Sequence, residues 1–518
     1  MSHASIPEAL ERAAATFGGD EAVVDGDTRW SFEQLLEEAR RVAHCLVASG
    51  IGPGDRVALW APNSARWIAT SFGVYLAGAV LVPVNTRFKG MEAAHVLRRS
   101  QARLLCASTD VLGTDLVGLL DDVGELPDLR ETVVLDGPAR DGAVRWDGFL
   151  ARAGGTNGEG SLPRVRAEDL ADIIFTSGTT GEPKGAMLAH GPSVRTYEAW
   201  SDAVGLHQGD RYLCVYPFFH TAGLKSAVLA CVLKGATILP HAVFDAAVVM
   251  ERVSAERISV LPGPPTVFQS LLEHPDRSRY DLSTLRLSVT GAATVPVEVI
   301  RRMRDDLKIA TVVTGYGLTE TTGTVSMCRH DDPPEVIATT VGKPLDGVHV
   351  RIVADDGSTP PPGSAGEILV KGFNVMLGYF ADEEATAAAI DQEGWLRTGD
   401  IGLVDDNGNL RITDRKKDMF IVGGFNAFPA EIEGIMLTHP SVAQVAVVGV
   451  PDERLGEVGR AFVVRRAGGE EVDEASLVAW CRDHMANYKA PRHIEFVTEL
   501  PLTASGKVQR FRLRAPNA

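Results

Sequence analysis

The sequence predicts an α/β fold: a large N-terminal unit of helix-covered sheets with a small β-barrel-like subdomain, then a small C-terminal α/β unit. Three observations predict it. Between residue 20 and about 240, short Val/Ile/Leu-rich runs alternate with helical stretches, the pattern of parallel strands covered by helices. After about residue 340 the texture changes to short strands separated by turn residues. Past the charged segment Asp414-Arg415-Lys416-Lys417-Asp418 the alternation resumes over about 100 residues, enough for a separate small domain.

Taken in order, the predicted strands of the first unit are 57–60, 80–84, 104–107 and 173–175, with 259–261 and 285–290 further on. Helices are predicted over 31–49 and 91–100. The uncharged stretch 67–84 is long enough to mimic a membrane span. Gly73, Gly78 and Pro83 inside it, with its valine-rich end, favour a buried helix running into a buried strand. The next piece comprises strands 348–353, 366–371, 402–404 and 409–412, with turns at Asp355-Asp356-Gly357 and Asp405-Asp406-Asn407-Gly408, and reads as a small antiparallel sheet or barrel. The C-terminal unit is predicted as helix 429–437, strands 444–450 and 461–465, helix 474–485 and strand 493–497. The expected domains are 1–413 and 419–518, joined at 414–418.

Asp and Glu number 68 against 51 Lys and Arg, a formal net charge of −17. So acidic a surface repels phosphodiester backbones, and no nucleic-acid partner is expected, although a local basic funnel for a nucleotide remains compatible. At 45% hydrophobic and 23% charged, the chain can bury a large core. Cys45, Cys106, Cys214, Cys231, Cys328 and Cys481 are scattered, without a CxxC pair or metal-type spacing, which points to reduced buried thiols in a cytoplasmic protein. The N-terminus lacks the charged-then-apolar layout of a signal peptide, and no integral membrane segment is expected.

The most informative string is Thr176-Ser177-Gly178-Thr179-Thr180-Gly181-Glu182-Pro183-Lys184-Gly185, directly after the apolar run Ile173-Ile174-Phe175. Its glycines let a backbone approach a ligand closely. The hydroxyls of Thr176, Ser177, Thr179 and Thr180 and the backbone N–H groups can cradle phosphates, and Lys184 adds a cation. The order is not GxxxxGK[ST], so a P-loop NTPase reading fails. A flexible surface loop is the competing reading.

This string resembles the phosphate-loop signature of the adenylate-forming superfamily, which includes acyl-CoA synthetases, firefly-type luciferases and peptide-synthetase adenylation domains. Further strings follow in the superfamily's order. Gly315-Tyr316-Gly317-Leu318-Thr319-Glu320 is similar to its adenine- and magnesium-binding motif, and Arg397-Thr398-Gly399-Asp400 to its ribose-binding motif. Residues 414–418 look like its interdomain hinge, and Pro501-Leu502-Thr503-Ala504-Ser505-Gly506-Lys507 resembles its catalytic-lysine loop. The resemblance spans essentially the whole chain.

It implies an enzyme that uses ATP and Mg²⁺ to activate a carboxylic acid as an acyl-adenylate, with coenzyme A as acceptor and a mobile C-terminal domain. The implied catalytic residues are Lys507, Glu320, Thr176 and His220, with Thr176 and Glu320 also holding the metal. Implied nucleotide contacts are Thr176, Ser177, Gly178, Thr179, Thr180, Gly181 and Lys184, then Gly291, Ala292, Ala293, Gly315, Tyr316, Gly317 and Thr319, then Asp400, Arg415, Lys417 and Lys507. Tyr316 offers adenine a face; alone it would read as a core tyrosine. Asp400 can accept ribose hydroxyls, though an aspartate beside Gly399 also suits a turn. Arg415 and Lys507 would alone read as solvated charges. Lys507 could offset charge that develops as the carboxylate attacks the α-phosphate. His220, in Pro217-Phe218-Phe219-His220-Thr221-Ala222-Gly223, resembles a position that lines and gates the acyl site, with a structural histidine as the alternative.

Coenzyme A is favoured by Lys417 in the hinge and by Gly423-Gly424-Phe425-Asn426, which resembles the segment lining the pantetheine tunnel after domain rotation. Arg87, Lys489 and Arg492 are candidates for its phosphates. A carrier protein or oxygen remains open as acceptor, as do a non-catalytic binding protein and a homodimer. Gly291 and Gly315 leave room in the acyl region and no charge is evident there, so an apolar or mildly polar acid is expected. Leu261-Pro262-Gly263-Pro264-Pro265-Thr266, Val289-Thr290-Gly291-Ala292-Ala293-Thr294-Val295-Pro296 and Arg454-Leu455-Gly456-Glu457-Val458-Gly459-Arg460 look like the CoA ligases of actinobacterial steroid catabolism. That likeness implies a propanoate on the bicyclic remnant of rings C and D, ahead of a medium-chain fatty or alicyclic acid.

Overall fold

The structure, a computed structural model, describes residues 4–154, 161–176, 183–291, 297–354, 356–361, 363–415, 419–466, 472–501, 508 and 510–514. An eight-stranded sheet forms one half of the N-terminal unit. Its middle strands, Leu170–Thr176, Val80–Pro83, Arg56–Trp60, Leu104–Ser108 and Glu131–Asp136, run parallel. The second half joins Arg211–Cys214, Thr237–Pro240 and Glu21–Asp25 in parallel. Isolated bridges at Val260 link it to the parallel pair Leu287–Gly291 and Thr311–Tyr316. The run expected as a strand over 259–261 is therefore reduced to that bridging residue.

The charge-free stretch is a helix, Ala65–Leu76, followed by the strand Val80–Pro83, both inside the core. Among the described residues no helix is long and apolar enough to cross a membrane. Helix Ala65–Leu76 packs on helix Phe32–Ala48 so closely that a Cβ on Gly73 would lie 2.5 Å from Val42 Cγ1. Helix Phe32–Ala48 starts at a reciprocal cap: Ser31 Oγ accepts from the Gln34 N–H at 3.2 Å and Gln34 Oε1 accepts from the Ser31 N–H at 2.9 Å. All six cysteines are buried and free.

The small antiparallel piece is a four-stranded sheet in the order Val348–Val353, Gly366–Gly372, Leu396–Val404, Leu410–Arg415. Beyond 418, a five-stranded sheet carries its own core, which includes Phe420, Ile432, Met436, Val447, Val463 and Leu477. Its long strands Val442–Asp452 and Gly456–Arg465 turn alternate residues to two faces. Val445, Val447 and Val463 pack on one face; Ala446, Val448 and Phe462 pack on the other with Leu500 and Val508.

Candidate active site

Strand Leu170–Thr176 ends at Thr176, and the chain returns antiparallel as Lys184–Ala189 with Thr176 opposite Lys184. The neck of the phosphate string is thus a hairpin, not the strand-to-helix turn of a P-loop, which agrees with the missing GKS/T order. Ser177, Gly178, Thr179, Thr180, Gly181, Ala292, Ala293, Lys417 and Lys507 lie outside the described residues.

Glu320 sits in the short 3₁₀ turn Thr319–Thr321, after Gly317, whose hydrogen lets the backbone pass Gly323; a Cβ there would lie 2.2 Å from Gly323 O. Thr176 Oγ1 donates to Glu320 Oε1 at 3.3 Å, so the phosphate string and the Gly-Tyr-Gly string meet across a separation of 144 positions. Tyr379, which the sequence reading missed, donates its hydroxyl to the same Oε1 at 2.8 Å. The Lys184 ammonium lies 5.5 Å from the Tyr379 ring centre. Tyr379 is brought in by strand Gly378–Tyr379, which pairs with Lys184–Ala189. Burial and the Glu320 charge push the Tyr379 phenol far above its usual pKa, so it stays protonated and able to donate.

Tyr316 closes strand Thr311–Tyr316, and its hydroxyl donates to Asp400 Oδ2 at 2.7 Å. The adenine and ribose strings therefore converge too. Arg415 is the ladder partner of Asp400, which places it beside the ribose string by backbone register. Arg397, by contrast, reaches Glu367 at 3.5 Å and is half exposed.

His220 accepts from the Ala222 N–H at Nδ1, 3.1 Å. Solvent touches the ring, yet crowding by protein lowers its pKa from the ordinary imidazole value to about 4, so it is neutral near pH 7. The neighbouring Thr221 packs on the Glu320 turn: a Cβ on Gly323 would come 3.0 Å from Thr221 Cβ. Gly291 and Gly315 are ladder partners at adjoining strand ends. The expectation that Gly315 leaves open room needs correction. A Cβ there would meet Met327 Sδ at 2.0 Å, so that side is already filled by a side chain.

The C-terminal unit meets the N-terminal unit through the turn Gly423-Gly424, both with positive φ, at +56° and +87°. A Cβ on Gly424 would lie 3.1 Å from Pro264 Cγ. Phe425 stacks on Tyr488 at 4.9 Å, and the Arg87 guanidinium lies 4.5 Å from the Phe425 ring centre. Lys489 is not a phosphate ligand as expected. It is fully buried, because Glu92 and Glu431 take its ammonium at 2.7 and 2.6 Å. Arg492 instead shares an open groove of about 820 Å³ with Lys89, Arg454 and Arg482, beside Asp452 and Asp483. Lys89 and Arg482 carry no motif spacing; only the fold gathers them with Arg454 and Arg492.

The AMP-binding enzyme family matches residues 10–380, and the AMP-binding enzyme C-terminal domain matches 431–507. The chain belongs to the AMP-binding enzyme family. This AMP-binding enzyme is 47% identical over 517 residues to the 3-[(3aS,4S,7aS)-7a-methyl-1,5-dioxo-octahydro-1H-inden-4-yl]propanoyl:CoA ligase of Mycobacterium tuberculosis (strain ATCC 25618 / H37Rv), covering 98% of both chains. The ligase of the same name from Rhodococcus jostii (strain RHA1) is 46% identical, again with 98% of both covered. Among solved structures, a double mutant of o-succinylbenzoate CoA synthetase from Bacillus subtilis bound to its product analogue OSB-NCoA superposes with a TM-score of 0.82. The same enzyme in complex with AMP gives 0.68; both are 28% identical and cover 98% of each chain. By family and relatives, the enzyme is an AMP-forming acyl-CoA ligase.

Among the described residues of this AMP-binding enzyme, no group of three or more His, Cys, Asp or Glu could hold a metal by itself. One carboxylate beside a hydroxyl, Glu320 with Thr176, fits an ion that takes its other ligands from phosphates and water, as Mg²⁺ does.

Proposed function

We propose that this ligase joins a steroid-derived bicyclic propanoate to CoA in two half-reactions. The observation that carries the acid is end-to-end identity at nearly half of all positions with two ligases named for a methyl-dioxo-octahydroindenyl propanoyl group. In the first half-reaction an acid oxygen attacks the α-phosphorus of ATP, the α–β bridge breaks, and pyrophosphate leaves. In the second the CoA thiol loses its proton and attacks the acyl carbon, and AMP leaves.

In this reading Lys184 and the 176–181 string hold the β- and γ-phosphates. Tyr316 presents its ring to adenine, Asp400 and Arg415 take the ribose side, and Lys507 offsets charge at the α-phosphate. Thr176 and Glu320 would hold Mg²⁺, which would supply charge neutralisation on phosphate oxygens. Gly291, Thr221 and the neutral His220 border the acyl body, which suits an uncharged ring system.

Residues 414–418 serve as the hinge, and the orientation seen here is the CoA-accepting one. Three observations support that reading. Gly424 lies against Pro264. Val508, next to Lys507, packs on the sheet face opposite the core that Phe88 of the N-terminal unit joins. At equal identity, the superposition is better on the complex with the product analogue OSB-NCoA than on the AMP complex. The groove with Lys89, Arg454, Arg482 and Arg492 then offers cations to the CoA phosphates.

The test is a CoA-ligation assay with mass detection against steroid-derived propanoates, medium-chain fatty acids and alicyclic acids. The bicyclic propanoate is expected to give the highest kcat/KM. A higher value for a fatty acid overturns the substrate, and acyl-adenylate without any thioester overturns the acceptor.

A further inference from the structure

Lys489 is a fully buried cation at the junction of the two units. Its ammonium donates to Glu431 in helix Pro429–Met436 of its own unit and to Glu92 in the first turn of helix Gly90–Ser100 of the other. The Phe88 ring centre lies 4.4 Å from the same ammonium. Glu92 takes a second donor across the junction: its Oε2 accepts from the Ala486 N–H at 3.1 Å, besides capping its own helix through the Lys89 N–H at 2.8 Å. One carboxylate of the N-terminal unit thus holds two donors of the C-terminal unit, away from bulk water. A desolvated contact between charged partners is far more sensitive to loss of one partner than a surface ion pair.

The contact is also built to let go. If the C-terminal unit turns away, Lys489 retains Glu431, and Glu92 retains its helix cap and gains water. Neither charge is stranded. None of these residues belongs to the Thr176–Glu320–Tyr379 cluster or to the Tyr316–Asp400 pair.

We propose that Glu92 is a positioning residue for thioester formation alone, holding the C-terminal unit through Lys489 and the Ala486 N–H where Gly424 meets Pro264. This rests on the reading of the present orientation as the CoA-accepting one.

The test replaces Glu92 and measures the half-reactions separately in the full-length enzyme: ATP–pyrophosphate exchange for adenylation, and single-turnover thioester formation from preformed acyl-adenylate and CoA. Glu92→Gln keeps an oxygen for the helix cap but removes the charge. Exchange is expected to stay within about twofold of wild type, while thioester formation falls on the order of 10- to 100-fold, one decade for each ~1.4 kcal/mol. Glu92→Asp, which keeps the charge, is expected to recover part of that loss. Equal loss of both steps, or loss of neither, overturns the proposal. If Glu92→Gln gives no exchange and melts early, Glu92→Asp carries the test: thioester formation slowed more than exchange is expected, and equal slowing of both steps overturns the proposal. Wild-type enzyme that never forms thioester would instead sink the CoA-acceptor reading, so the two failures are distinguishable.

Discussion

At the Glu320 carboxylate, a neutral donor and a charged acceptor meet in a half-buried place. The Tyr379 hydroxyl and the Thr176 hydroxyl share Oε1. A hydrogen bond to a charged group is worth about 1.5–3 kcal/mol. Tyr379→Phe is therefore expected to slow adenylation roughly 10- to 100-fold. Pyrophosphate exchange titrated with Mg²⁺ checks this, and an unchanged rate would show that Glu320 is held by other contacts. Glu320 and Thr176 were legible because each lies in a string of characteristic order. Tyr379 was not, because its partner is 59 positions away and neither flank has a motif. Lys489 was misread for a related reason: sequence shows a charge, but not the two carboxylates that the fold folds around it.

Among the elements, the helix pair Phe32–Ala48 and Ala65–Leu76 shows how one missing methyl sets an approach. Ala is the better helix former than Gly by about 1 kcal/mol. At position 73, however, the added Cβ would press on Val42 at 2.5 Å, and overpacking costs about 1–3 kcal/mol. Gly73→Ala is expected to lower the melting temperature, read by calorimetry; a rise would mean that the helices separate freely. Element type was readable wherever periodicity is strong: the strand Val348–Val353 falls on its expected bounds, and the helix expected over 31–49 is Phe32–Ala48 between its caps. The strand expected over 402–404 extends back to Leu396, because the polar Arg397-Thr398-Gly399-Asp400 run is held in the sheet through bulged ladders to both neighbours.

For the whole molecule, the question is which face the C-terminal unit turns to the nucleotide. In the proposed reading, the present arrangement, with Val508 on the face away from Phe88, serves the second half-reaction, and the C-terminal unit turns for the first. Lys507→Ala is expected to reduce pyrophosphate exchange by roughly 10²–10³, the cost of one charge-stabilising group. Thioester formation from supplied acyl-adenylate should remain near wild type. Equal loss of both steps would remove Lys507 from its adenylation role.

By itself the sequence determined the α/β class, the family, the order of the nucleotide strings and the buried nature of the 67–84 stretch, because period, glycine placement and residue order are local properties. Only the tertiary structure decided that Thr176 meets Glu320, that Tyr316 meets Asp400, that Met327 fills the side of Gly315 and that Lys489 is neutralised by Glu92 and Glu431. Each of these is a pairing between distant positions, set by how sheets stack and units dock. The residues that meet the phosphate string at its Thr176 end, Glu320 and Tyr379, come from other elements.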